Sequence, residues 1–149
     1  KTHVLHIIRE LLSFEPTSTG TDIAQALQYF SNAQKRRCTA FLVSDFIGNF
    51  KMDKPLMVAS NRHELNAIQI YDRLDAEMPN LGLVKFHDAE TGKDMWVDTA
   101  LASVREQYAK QWNLAQNNLE QLFTKTGVKC IRVRTDEDYV KALMQLFKK

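Results

Sequence analysis

Three short runs, Thr39-Ala40-Phe41-Leu42-Val43, Leu65–Tyr71 and Val128–Val133, constrain this chain more than any other feature of its sequence. Each is apolar, nearly continuous and only five to seven residues long, which is how a strand covered on both faces reads. The segments around them have a different period. His3 to Phe14 places Val4, Leu5, Ile8, Leu11 and Leu12 on one helical stripe, which Ile7 widens, so this helix is expected to be well buried. Ile23, Ala24, Leu27 and Phe30 mark a second helix, reaching to Ala33. Asp53-Lys54-Pro55 reads as a cap and an early-helix proline, opening a third helix to about His63. Leu101, Val104, Tyr108, Trp112, Ala115, Leu119 and Leu122 recur by threes and fours in a long helix that Gly127 ends. Thr135-Asp136-Glu137-Asp138 begins a terminal helix with a carboxylate three residues after the cap, with Val140, Leu143, Met144 and Phe147 facing inward.

Strands alternating with helices imply an α/β fold, a parallel sheet flanked by helices. Short right-handed crossovers place Thr39–Val43 beside Leu65–Tyr71, and that strand beside Val128–Val133. Leu83–Phe86 and Met95–Val97 flank a turn-rich Asp88–Lys93, a hairpin expected to stand outside the sheet as an accessory over about 81–98. No internal repeat or linker divides the 149 residues, a length that suits one domain.

Composition removes several classes of function. Hydrophobic content of 44% and charged content of 26% are those of a soluble globular chain, and no apolar run approaches the roughly 18 residues of a membrane span. A net charge of +2 is too mild to point to a nucleic-acid partner. Lys35-Arg36-Arg37 is read as cations at a helix end, where the dipole favours them. Cys38 and Cys130 sit in apolar, strand-like stretches and read as buried reduced thiols, which fits a reducing, cytoplasmic setting. The Rossmann glycine fingerprint, the P-loop and the hydrolase nucleophile elbow are absent from the sequence. His3 and His6 lie one turn apart, but two imidazoles alone make a poor metal site.

What remains is Gly20-Thr21-Asp22 at the start of the second helix and Ser44-Asp45 at the end of the first strand. Ligands of open α/β sheets bind outside the carboxyl ends of the strands, and a hydroxyl with a carboxylate there offers oxygens to a hard cation such as Mg²⁺. The plainer reading makes Thr21 a helix cap, Asp22 a first-turn carboxylate and Asp45 a loop residue bonded to backbone N–H groups. Asp72, after the second strand, reads as a turn residue.

"GTDIAQAL", followed some twenty residues later by "FLVSDF", resembles the second half of a von Willebrand factor A domain. More narrowly, "RELLSFEPTSTGTDIAQALQYF", "LNAIQIYDRLDAEMPNLGLVKFHDAETGKDMWVDT" and "GVKCIRVRTDEDYVKALMQLF" are similar to a bacterial family of uncharacterised A-domain-like proteins. Members of that family are commonly encoded beside MoxR-type AAA+ ATPases, some of them in aerotolerance operons. The resemblance covers nearly the whole chain, and Asp72–Pro79 followed by the hairpin is its more specific mark. It implies a metal-ion-dependent adhesion site in which Thr21 is a ligand and Asp45 acts through water, with Gly20, Asp22 and Ser44 beside them on an interaction surface. The main element of such a site, Asp-x-Ser-x-Ser, occurs nowhere in the chain and is expected upstream of Lys1. The resemblance thus implies a partial, truncated A-like domain (residues 1–149) whose metal site is incomplete, with Mg²⁺ or Mn²⁺ held only in the intact protein. The implied function is a non-enzymatic protein-interaction module working with a MoxR-like ATPase; a metal-dependent hydrolase such as a phosphoesterase is the alternative. Thr39–Val43 carries no charge, proline or glycine, so as an edge strand it is expected to pair with a second copy.

Overall fold

The computed structural model describes residues 2–15, 20–48, 51–88 and 92–146. The elements run α1 (Thr2–Ser13), α2 (Ile23–Ala33), β1 (Thr39–Ser44), α3 (Asp53–Arg62), β2 (Glu64–Tyr71), α4 (Arg73–Ala76), β3 (Leu83–His87), β4 (Asp94–Asp98), α5 (Ala102–Thr126), β5 (Lys129–Arg134) and α6 (Tyr139–Leu146). The main sheet is parallel, in the order β1-β2-β5 that short crossovers require. Val43 lies opposite Ile68, and Ile68 opposite Ile131. β3 and β4 form a separate antiparallel pair, closed by the Asp88 N–H bonding Lys93 O at 2.9 Å, with Gly92 at φ +68° in the turn.

The inner face of the sheet makes the core. Ala40, Leu42, Leu65, Ala67 and Cys130 pack against Ile23 and Leu27 of α2, Leu56 and Ala59 of α3, and Leu119 and Phe123 of α5. α5 stops where the sequence says it should. Gly127 takes the left-handed conformation (φ +67°) and its N–H returns to Phe123 O and Thr124 O, which a Cβ would strain.

The outer face is only partly covered, which corrects the expectation of strands buried on both sides. Burial along β1 alternates, with Phe41 45% and Val43 54% exposed, and neighbouring Ile70 is 41% exposed. α6 packs against β5, where Ile131 and Leu146 are buried.

Helix α1 departs furthest from expectation. It is amphipathic, as its spacing demands, yet none of its residues is buried; Leu5, Leu11 and Leu12 are 66%, 74% and 83% exposed. Periodicity shows that a helix has an apolar face, not that the same chain supplies its cover.

The caps also shift. Asp22, not Thr21, caps α2, because its Oδ1 accepts from the Gln25 N–H at 2.9 Å. Met52 is the N-cap of α3 without a side-chain bond, and Asp53 becomes its first residue, where its charge suits the dipole. Asp138, not Thr135, bonds the Val140 N–H at the start of α6. On α6 Val140 and Met144 are exposed rather than inward, and Phe147 lies outside the described residues. Lys35-Arg36-Arg37 follows the α2 C-cap Gln34 rather than occupying its last turn. Cys38 and Cys130 are free and only partly buried, and burial pushes the Cys130 thiol up to about 11.

Candidate functional site at the carboxyl ends of the strands

A parallel sheet brings its carboxyl ends to one edge, so Ser44, Tyr71 and Arg134 end their strands together. An aspartate follows each within two residues: Asp45, Asp72 and Asp136. All three carboxylates are engaged locally. Asp45 Oδ1 accepts from the Ile47 N–H at 3.1 Å, and the Ser44 hydroxyl lies 3.4 Å from the same oxygen while accepting the Phe46 N–H at 3.0 Å. Asp72 caps α4, accepting from the Leu74 N–H at 2.9 Å on one oxygen and from the Thr135 hydroxyl at 2.7 Å on the other. Asp136 pairs with Arg134.

The loop that carries Asp45 is anchored from beneath. Phe46 holds a left-handed backbone (φ +54°), uncommon for a bulky residue, while its buried ring meets Phe123 edge-to-face with centroids 5.4 Å apart. Gln69, with no exposed surface, donates from Nε2 to the Asp45 carbonyl at 3.2 Å. Core packing therefore offsets a strained turn that holds the exposed Asp45 carboxylate at the rim.

The bonds to Asp72 fix its ionised form. Its carboxyl is held below the ordinary value of 3.8, first by the Leu74 N–H and then by the Thr135 hydroxyl. Because the folded value is the lower one, this group stabilises the fold above pH 3.8 and loses that contribution as acidity carries it through the lowered value. Asp72→Asn is expected to melt below the parent at neutral pH, with the gap closing below pH 3.8. Thermal melts across that range check it, and a gap independent of pH would contradict the assignment.

The residues read from sequence occupy two places. Ser44 and Asp45 share one hydrogen-bonded turn, while Gly20, Thr21 and Asp22 are exposed at the start of α2. Gly20 has open space around it and no left-handed φ, so its backbone does not require glycine. The described residues contain no cluster of three His, Cys, Asp or Glu side chains able to hold a metal. Thr21 and Asp45 alone fall short of the octahedral oxygen set that Mg²⁺ demands, so these residues do not by themselves fit the ion.

Sequence reasoning missed the supporting roles of Phe46 and Gln69. One signal was available: Gln69 interrupts the apolar run Ala67–Ile70, and an amide inside a central strand needs a partner.

Known proteins resemble this chain in sequence. A family described as "Protein of unknown function DUF58" matches residues 1–118. The uncharacterized protein MAV169 of Mycobacterium avium is 30% identical over 135 residues, covering 89% of this chain and 78% of that protein. The uncharacterized proteins Mb1516 of Mycobacterium bovis and Rv1480 of Mycobacterium tuberculosis are each 30% identical over 127 residues, 84% of this chain but 39% of theirs. No solved structure matches the chain at a significant level. No helix among the described residues is long and apolar enough to cross a membrane. With more than half its length matched and relatives sharing the same segment, the chain belongs to the DUF58 family of bacterial proteins.

Proposed function

We propose that this chain is a protein-interaction module of von Willebrand A type, working with a MoxR-like AAA+ ATPase to assemble or remodel a partner complex. The observation that carries the interaction reading is the open β1 edge of the sheet. β1 has no neighbouring strand on its far side among the described residues, and the outer face beside that edge exposes Val43 and Ile70. A flat apolar edge without a charge, proline or bulge is a surface for another chain. The rim around Asp45 adds a carboxylate held on a rigid turn.

The metal belongs to the same reading. Thr21 and Asp45 would supply two positions to Mg²⁺ or Mn²⁺ in a longer protein whose other residues complete the set. The phosphoesterase alternative asks for a second free carboxylate at a strand end; both oxygens of Asp72 already accept hydrogen bonds.

The test uses a whole family protein containing this segment and a MoxR-type ATPase from the same organism, titrated with and without Mg²⁺. Asp45→Ala is expected to weaken binding about tenfold and to cost only about 1 kcal/mol of stability, since it removes two exposed loop bonds and no core contact. Equal affinity of variant and parent would contradict the proposal, as would loss of the fold.

A further inference from the structure

Beside the Asp45 turn, between Phe46 and Ile47 on one side and α5 on the other, lies a crevice of about 220 Å³. Tyr108 and Trp112 of α5 supply aromatic walls, and Asp75 of α4 contributes its single carboxylate. Among the described residues no lysine, arginine or histidine lines it. Gln116, only 7% exposed, also lines it. The other groups are placed by bonds of their own. The Tyr108 hydroxyl donates to Leu74 O at 2.9 Å, Trp112 packs against Tyr71 at a tilt with centroids 5.7 Å apart, and Asp75 Oδ2 accepts from the Asp72 N–H at 2.7 Å.

These features ask for one kind of occupant. An apolar group would bring nothing to pair with the Asp75 carboxylate. An anion would face both the Asp75 charge and the negative faces of the aromatic rings. A cation with several N–H donors suits both. The planar guanidinium suits them best, because it stacks on aromatic rings, spreads five donors and sheds its hydration more easily than an ammonium.

We propose that this crevice receives an arginine side chain from a partner protein, deepening the interaction reading above, on which it rests. The partner thus presents a basic, arginine-bearing segment to the carboxyl end of the sheet.

The probe is a blocked Gly-Arg-Gly tripeptide, followed by NMR at the indole N–H of Trp112, with Trp96 on β4 as the internal control. A saturable shift confined to Trp112 is expected. Asp75→Asn, which keeps an acceptor for the Asp72 N–H, should weaken it about tenfold. A citrulline tripeptide, equal in shape but neutral, should bind at least as poorly to the parent chain. A citrulline or glutamate tripeptide that matches arginine would overturn the proposal, and so would the absence of a saturable shift in the folded parent. No ATPase enters this titration. Failure here alongside Asp45-dependent ATPase binding removes the crevice alone, whereas arginine binding without ATPase binding removes the proposed ATPase partnership alone.

Discussion

Phe123→Ala is expected to destabilise the chain by about 4 kcal/mol, in the range for emptying a packed aromatic site. Phe123 is 3% exposed and lies in the cluster where α5 meets α2, α3 and the sheet. Its ring also seats Phe46, whose left-handed backbone shapes the Asp45 turn. A domain holds a margin of about 5–15 kcal/mol, so this loss leaves little or none. Urea unfolding of parent and variant measures it. A loss under 1 kcal/mol would mean that the core does not close around this ring. Where the variant stays folded, the Ile47 N–H should exchange faster than in the parent, because the turn has lost its anchor.

The second large effect concerns assembly. The chain is expected to self-associate through β1 and the apolar face beside it, most simply as a two-fold pair with the two copies of the strand antiparallel. Val43→Lys should abolish this. Val43 is 54% exposed in the single chain, so the variant should keep its fold while placing a charge on the shared surface. Light scattering at high micromolar concentration should give a dimer for the parent and a monomer for the variant. A parent that stays monomeric there would count against the edge as an interface, and so would a variant that still pairs.

The sheet was legible in the sequence because its signals are local and redundant. Short apolar runs marked β1, β2 and β5, intervening helices forced parallel pairing, and short crossovers fixed the order. Gly127 announced the end of α5, since few residues other than glycine take the left-handed cap. Where one polar residue adjoins another, the sequence was less decisive. Thr21-Asp22 and Thr135–Asp138 each offer two or more side chains able to cap, and backbone angles rather than residue type choose between them. The short helix α4 was hidden inside a turn signal, Asp72 to Pro79, where its capping box, closed by Asp75, spans only one turn. The bare face of α1 was beyond reach for a different reason: an apolar stripe reads the same whether its cover is this chain or another. At the candidate site Ser44 and Asp45 were visible as a polar ending to an apolar strand. Their supports were not, because Phe46 and Gln69 act through contacts with residues far away in sequence.

Amide hydrogen exchange along the two outer strands, followed against protein concentration, tests the central claim that β1 is a surface for another chain. β1 and β5 are both edges of the same three-stranded sheet, so each serves as the other's reference. Exchange along Thr39–Ser44 should slow as concentration rises from low to high micromolar, while Lys129–Arg134 stays unchanged. Protection of Thr39–Ser44 that does not vary with concentration, or that rises only along Lys129–Arg134, would contradict it.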